Sequence, residues 1–215
     1  MANILAGCLD ARPPRWAADG NISVSLHGHT ASVNAVVTQK FGHRNVVFSG
    51  GGDDSIRVWD IAGTCIQAFE HAHDGYVSSL LLHGEYLLSA SFDRTIRLWN
   101  AERREQLRSI KAHANCVNAL CLHSATGSVL SSSWDSCIRM WDLRASNGNK
   151  GYASVLRLPS AGLCVACDTE FMVYCGLHDT TVVSMDLRNG KLLETITGHS
   201  GYVTALALAN LVCAS

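Results

Sequence analysis

The sequence predicts an all-β fold made of repeated four-stranded antiparallel sheets. In three consecutive repeats an Asp precedes a Trp by six residues, and from the first of these repeats the Asp recurs in steps of 40, 42 and then 44 residues. A step of that length holds four short strands and is too short for a domain. Each step also contains four apolar runs of five to seven residues, separated by turn residues. The pairs are Asp53 with Trp59, Asp93 with Trp99 and Asp135 with Trp141, while Asp179 has Met185 in the Trp position.

The strands of each unit can be assigned in chain order. In the first unit we expect strands over 32–37, 45–50, 55–60 and 65–70, and in the second over 76–82, 85–91, 96–100 and 105–110. In the third we expect them over 116–122, 128–133, 137–142 and 152–158, and in the fourth over 163–168, 171–176, 181–186 and 192–197. Because one such sheet cannot bury both of its faces alone, the units are predicted to stack face to face around an axis.

Gly-His pairs ahead of one strand and Trp-Asp pairs at the end of another are similar to those of a known family. The chain resembles the WD-repeat β-propellers from about residue 4 to its C-terminus. The resemblance implies one propeller domain over 1–215, with four complete blades and a partial blade at each end. The complete blades are expected at about 28–70, 71–110, 111–158 and 159–197, and the partial blades at 1–27 and 198–215.

The two partial blades leave two alternatives open. Asp10 and Trp16 repeat the six-residue spacing, and a first-strand pattern follows His199, so the C-terminal strand could complete the N-terminal blade in a ring of about five blades. Alternatively, the chain is a truncated or fragmentary piece of a longer propeller of about seven blades. The second alternative is favoured because the sequence stops within a strand pattern.

Charge and cysteine content indicate which binding partners and which cellular compartment to expect. The 17 basic and 18 acidic residues give a net charge of −1 without a block of like charge, so we expect neither a nucleic-acid nor a membrane partner. No apolar run approaches the roughly 18 residues of a membrane span. Nine cysteines, an odd number, lie mostly within predicted strands, which indicates free thiols and a cytoplasmic and/or nuclear protein.

A His, a Ser, an Asp and a Trp recur together in the first three units. Such a set could be interpreted as a hydrolytic triad, but a triad is needed once and this set occurs three times. We therefore predict a buried hydrogen-bonded network with a structural role, as the resemblance also implies. In the fourth unit we expect Ala161, Cys175 and Met185 in place of His, Ser and Trp. The three complete sets are His29, Ser49, Asp53 and Trp59; His73, Ser89, Asp93 and Trp99; and His113, Ser131, Asp135 and Trp141.

Metal and cofactor binding are not expected. Cys164, Cys167, Cys175 and His178 have spacings found in zinc sites. Cys164 and Cys167, however, lie three apart on one predicted strand, where they face opposite sides. We predict no metal site and no cofactor.

The propeller topology predicts a partner-binding face formed by two loop positions of each unit. These positions are three residues after the His and one residue before the Asp, and Asn side chains lie close by. Aromatic residues there are typical of protein-binding hot spots. They could instead only pack against adjacent loops. The predicted face consists of Tyr76, Phe92, Trp134, Tyr202, Asn34, Asn118 and His178.

The predicted function is a non-catalytic scaffold that binds other proteins as a partner-recruiting subunit of a larger complex. One alternative is a truncated product without function. An enzyme that uses the propeller channel is less favoured, because the candidate axial positions contain no Asp or Glu and one His.

Overall fold

The computed structural model of the protein describes residues 26–42, 44–143 and 152–208. Sixteen strands in these residues form four antiparallel sheets. Within each sheet, every strand pairs with the next one along the chain. The first sheet contains β1 (Val33–Phe41), β2 (Arg44–Gly51), β3 (Ile56–Asp60) and β4 (Cys65–Phe69), and the second contains β5 (Val77–His83), β6 (Tyr86–Ser91), β7 (Thr95–Asn100) and β8 (Glu105–Lys111). The third contains β9 (Val117–His123), β10 (Ser128–Ser133), β11 (Cys137–Trp141) and β12 (Tyr152–Arg157), and the fourth contains β13 (Gly162–Cys167), β14 (Met172–Leu177), β15 (Val182–Asp186) and β16 (Lys191–Ile196).

The predicted fold class is confirmed: the protein is all-β, and its sheets are the four-stranded antiparallel blades of a β-propeller. Each predicted strand of the four units is present, with ends that differ by a few residues. The described residues contain no helix that is long and apolar enough to cross a membrane. The N-terminal partial blade falls almost wholly on residues 1–25, outside the described residues.

The turn between the second and third strands has the same backbone conformation in every sheet. The residue after the repeated Asp has a positive φ, which costs a side-chain-bearing residue roughly 1 kcal/mol or more. In the second and third sheets a backbone bond closes this turn, from Arg94 N to Ser91 O at 3.2 Å and from Ser136 N to Ser133 O at 3.3 Å. The four residues are Asp54 (63°), Arg94 (71°), Ser136 (57°) and Thr180 (74°).

The chain divides into two compact units, residues 1–117 and 118–215. From here on, the first and second unit are these two parts of the chain, and each of the four repeats is named by its sheet. In the first unit the core lies between the first and second sheets. Phe48 and Ile56 of the first sheet are buried there against Val77 and Leu80 of β5. Gly50 makes this approach possible, because a Cβ at that position would lie 2.4 Å from Val77 Cγ1.

The second unit has its own core between the third and fourth sheets. Leu130 and Ile138 of the third sheet pack against Val173, Val183 and Met185 of the fourth. All five side chains are buried.

A side chain on the first strand of a sheet also bonds to the first strand of the next sheet. Asn34 Nδ2 donates to Val77 O at 3.0 Å in the first unit, and Asn118 Nδ2 donates to Gly162 O at 2.7 Å in the second. Ser78 occupies the same position in the second sheet and donates to Val117 O. The Nδ2 group of each Asn thus bonds between strands, and the membership of Asn34 and Asn118 in a partner-binding face stays a prediction.

The segment after the fourth sheet differs from the sequence prediction. A strand was expected beyond Gly201, but residues 202–208 form none, because none of the described residues pairs with them in a ladder. Val203 is nevertheless buried, and a Cβ on Gly176 would lie 2.6 Å from its Cγ1. Val203 thus packs on the fourth sheet as Val77 packs on the first.

The close approach at Gly50 gives a test of the packing in the first unit. We expect Gly50→Ala to lower the free energy of unfolding by about 1–3 kcal/mol, because the new methyl group would overlap the short, rigid side chain of Val77. Gly201→Ala is the control, since a Cβ there meets nothing within 4 Å. Urea unfolding of both variants checks this, and equal midpoints would contradict it.

Candidate functional site

In the first sheet, the ring of His29 lies between a carboxylate and a hydroxyl group. Nδ1 lies 3.0 Å from Asp53 Oδ1, and Nε2 lies 2.7 Å from Ser49 Oγ. Trp59 Nε1 donates to the same hydroxyl at 2.8 Å. Because an ionised carboxylate only accepts hydrogen bonds, Nδ1 carries the ring hydrogen and Nε2 accepts from the hydroxyl. The bonds therefore run in one direction, from indole to hydroxyl to imidazole to carboxylate.

The second sheet repeats this geometry. His73 Nδ1 lies 2.8 Å from Asp93 Oδ2, and its Nε2 lies 2.7 Å from Ser89 Oγ. Trp99 Nε1 donates to Ser89 Oγ at 2.9 Å. The His, Ser and Trp side chains are buried in both sheets.

A further hydroxyl group, two residues after the Asp, joins each of these networks. Ser55 Oγ donates to Asp53 Oδ1 at 2.8 Å, and Thr95 Oγ1 donates to Asp93 Oδ1 at 2.6 Å. This fifth member of the network was not predicted from the sequence. Its signal was present, because an Asp with a Ser or Thr two residues later favours a turn closed by the Asp side chain.

The hydrogen bonds keep the two carboxyl groups ionised. Burial alone would raise the pKa of Asp53, but bonds from the Thr30 backbone, the Ser55 hydroxyl and His29 outweigh it and lower that pKa to about 2. The pKa of Asp93 is lowered further: burial opposes the shift, and bonds from His73 and Thr95 outweigh it. Neither carboxylate therefore changes protonation near neutral pH.

The residue in the His position also binds the preceding sheet through its backbone. His73 N donates to Asp54 O of the first sheet at 3.2 Å, while its ring binds groups of the second sheet. His113 N makes the same bond to Arg94 O at 3.2 Å. His73 thus links the first sheet, through its backbone, to the second sheet, through its ring.

In the third sheet, Trp141 Nε1 donates to Ser131 Oγ at 2.8 Å, and both residues are buried. His113 is buried as well, and Asp135 lies 3.8 Å from Arg139 Nη2. The indole–hydroxyl bond of the first two networks is therefore present here too.

The fourth sheet has apolar groups where the others have the network. Leu158, and not Ala161 as expected, occupies the His position, because Leu158 N donates to Ser136 O at 2.9 Å as His73 N does to Asp54 O. Leu158 packs with Cys175 and Met185 in the core of the second unit. Leu158 also lies four residues before the first residue of β13, as His73 lies four residues before the first residue of β5.

Without these partners, Asp179 is exposed. Its carboxylate accepts bonds from the hydroxyl and the backbone amide of Thr181, at 2.7 and 3.1 Å. The bond from the hydroxyl group two residues after the Asp is thus retained in the fourth sheet. Where the Asp of the first two sheets faces an imidazole, Asp179 faces solvent.

The Ser, His and Asp of the first two networks have the distances of a catalytic triad, but the hydroxyl groups are inaccessible. Ser49 and Ser89 are buried, and each accepts a bond from a Trp indole. A nucleophile must reach a substrate carbonyl with donors for the oxyanion nearby. This arrangement can hold the sheets together but cannot admit a substrate to the hydroxyl group.

Backbone bonds place the residue before the repeated Asp. Gly52 N donates to Ser32 O at 2.7 Å, Phe92 N to Tyr76 O at 3.0 Å and His178 N to Ala161 O at 3.0 Å. The backbone geometry is therefore the same in three sheets, while the side chains differ completely.

The aromatic residues predicted for the face form one group in each unit. In the first unit the rings of Tyr76 and Phe92 are 5.7 Å apart, and the two residues are 54% and 41% exposed. In the second unit the ring of His178 lies 4.9 Å from Trp134 and stacks at 4.0 Å on Tyr202. Trp134 is 39% exposed and Tyr202 62% exposed.

The zinc-like spacing near β13 and β14 does not bring its residues together. Among residues 26–42, 44–143 and 152–208, no three His, Cys, Asp or Glu side chains are grouped so that they could hold a metal ion. Cys164 Sγ instead donates to Val203 O at 3.3 Å.

Comparison with known families gives three matches to one family model. The model described as WD domain, G-beta repeat, matches residues 20–60, 63–100 and 104–142, which together are more than half of the chain. The matched segments contain the three Asp–Trp spacings.

Several curated proteins are similar to this chain. The p21-activated protein kinase-interacting protein 1-like of Gallus gallus is 33% identical over 65% of this chain and 39% of that protein. Autophagy-related protein 16 of Arabidopsis thaliana is 24% identical over 86% of this chain and 36% of that protein. Pre-mRNA-processing factor 19 of Bos taurus is 26% identical over 83% of this chain and 36% of that protein. The chain thus spans less than two fifths of the length of these relatives.

The networks predict a difference between two aspartates in the same turn position. Asp93→Ala removes the acceptor of His73, Thr95 and the backbone amide of Asp74, so we expect a loss of about 1–3 kcal/mol in unfolding free energy. Asp179→Ala removes only exposed bonds, and we expect a loss within about 0.5 kcal/mol. Chemical unfolding of both variants measures the difference, and equal losses would count against the network.

Proposed function

Because this chain belongs to the WD-repeat family, we propose that it is a non-catalytic protein-interaction scaffold that recruits a partner to a larger complex. The partner would bind the side chains that the loops present beside the repeated Asp. The observation that carries this proposal is the contrast between a constant backbone and variable side chains. Gly52, Phe92 and His178 share one backbone bond pattern, while their side chains range from none to a large aromatic ring. Binding residues are commonly found on loops that a rigid scaffold positions.

We place the main contact on Trp134, His178 and Tyr202 in the second unit. Trp and Tyr are enriched in binding hot spots because they bury much apolar area and retain a polar atom for bonding. The stacking of His178 on Tyr202 orders both rings before a partner arrives, which reduces the entropy lost on binding. Tyr202 is further positioned by Val203, which is buried on the fourth sheet.

Tyr76 and Phe92 supply a second contact in the first unit. Both rings are exposed and touch each other, so neither needs to be ordered by the partner alone. Asn34 and Asn118 remain part of the proposed face, and their Nδ2 groups also bond neighbouring strands.

The partner is proposed to be a protein. The net charge of −1 and the dispersed basic residues give no electrostatic attraction to nucleic acid or anionic lipid. One relative is named as a kinase-interacting protein, which supports an interaction role. Free thiols support a location in the cytoplasm and/or nucleus. The inaccessible hydroxyl groups of the networks support the absence of catalysis.

A pair of tryptophans in the third sheet tests this proposal. Trp134→Ala should leave the thermal melt nearly unchanged, because the ring is partly exposed, but should weaken partner binding by about 2 kcal/mol or more. Trp141→Ala should do the reverse and cost roughly 3–5 kcal/mol of stability, because it empties a buried site. Leu193→Ala, an exposed apolar residue on β16, is the binding control.

The measurement is affinity purification with quantitative mass spectrometry, followed by titration of the recovered partner against each purified variant. A partner that binds the wild type and Leu193→Ala equally, and Trp134→Ala at least about thirtyfold more weakly, is the expected result. If Trp134→Ala unfolds the protein as Trp141→Ala does, the ring has a packing role and the proposed contact is wrong.

A further inference from the structure

Two cysteine thiols meet where the third and fourth sheets pack against each other in the second unit. Cys121 lies on β9 and Cys167 on β13, and their sulfur atoms are 3.2 Å apart. The residues are 46 positions apart in the chain, so the packing of the two sheets brings them together. Leu122 O lies 3.4 Å from Cys167 Sγ.

A bond between the two sulfur atoms requires a short movement. Both cysteines are partly buried and pack against the core of the second unit. A disulfide has a sulfur–sulfur distance of about 2.05 Å, so the two atoms must approach by about 1 Å.

We propose that Cys121 and Cys167 are a peroxide-sensitive thiol pair whose oxidation to a disulfide ties the third sheet to the fourth. This modification is independent of the proposed partner contact. The reduced form, with free thiols, is the form that the structure describes.

The surroundings of the two thiols indicate which one reacts with peroxide and which one then closes the disulfide. The hydrogen bond from the Cys167 thiol lowers the pKa of Cys121, which favours the thiolate form of Cys121. The same bond, together with burial and the nearby Asp168, raises the pKa of Cys167, which remains a thiol. Burial raises the pKa values of Cys164 and Cys175 as well.

The reaction uses hydrogen peroxide as the oxidant and proceeds in two steps. The Cys121 thiolate attacks one peroxide oxygen, the O–O bond breaks, and the departing hydroxide takes up a proton to become water. The resulting sulfenic acid is then attacked by the sulfur of Cys167. The S–S bond forms as the sulfenic hydroxyl leaves with the thiol proton as a second water. Two thiols and one peroxide thus give one disulfide and two waters.

Peptide mapping of the full chain after peroxide treatment tests the proposal. The reduced protein is treated with a small excess of hydrogen peroxide, blocked with N-ethylmaleimide, digested and analysed by mass spectrometry. We expect a Cys121–Cys167 linked peptide as the main product and Cys65 still carrying the maleimide. Cys65 is the informative comparison because it is exposed, so exposure alone would make it react first. We also expect the oxidised protein to melt at least about 5 °C higher than the reduced protein.

Single variants separate the two roles. Cys167→Ser should stop the reaction at the sulfenic acid of Cys121, which dimedone captures, and Cys121→Ser should prevent both sulfenic acid and disulfide. Cys65→Ser should behave as the wild type. Preferential oxidation of Cys65, or wild-type protein in which Cys121 and Cys167 each carry maleimide after peroxide treatment, would overturn the proposal. The peptide map of the wild-type protein decides whether the proposal holds even if a variant fails to fold.

Discussion

His73 takes part in two sheets at once, and the structure of the first unit depends on this double role. Its backbone N–H donates to Asp54 O in the first sheet, while its ring joins Asp93 and Ser89 in the second. A buried imidazole would be costly without partners for both nitrogen atoms, so the Asp and the Ser are required together with it. Because the hydroxyl group of Ser89 in turn accepts from Trp99, loss of any one member leaves a buried polar group unpaired.

The fourth sheet shows that the backbone link can persist without the polar network. Leu158 keeps the bond to Ser136 O, and its side chain packs with Cys175 and Met185 instead of binding a carboxylate. The chain thus joins consecutive sheets in two ways, by directional hydrogen bonds and by apolar packing. Where hydrogen bonds join the sheets, the charged side chains of Asp53 and Asp93 are held largely buried. Where apolar packing joins them, Asp179 is exposed to solvent. In both cases the residue just before the Asp is held by a backbone bond, as Phe92 and His178 show.

The strands, the repeat and the network residues could be predicted because they follow from local patterns of apolar and turn residues. The Ser55 and Thr95 hydroxyl groups were predictable in principle, since they follow the Asp at a fixed distance. The role of Asn34 could not be predicted, because a bond to Val77 O 43 positions away depends on how two sheets pack. The same holds for the contact of Cys121 with Cys167. Leu158 was missed because the number of residues between the His position and the repeated Asp varies, and the backbone bond to Ser136 O, which identifies the position, is seen only in the folded chain.

Native-state hydrogen exchange of single backbone amides tests most directly whether the His network holds consecutive sheets and their loops in place. In Ser89→Ala, we expect the amides of His73, Asp74 and Phe92 to lose at least about tenfold protection, because His73 and Trp99 lose their shared partner. The amides of Thr30 and Gly52, which depend on the first network, should retain their wild-type protection. Unchanged exchange at His73 and Phe92, or an equal loss at all five amides, would contradict the account.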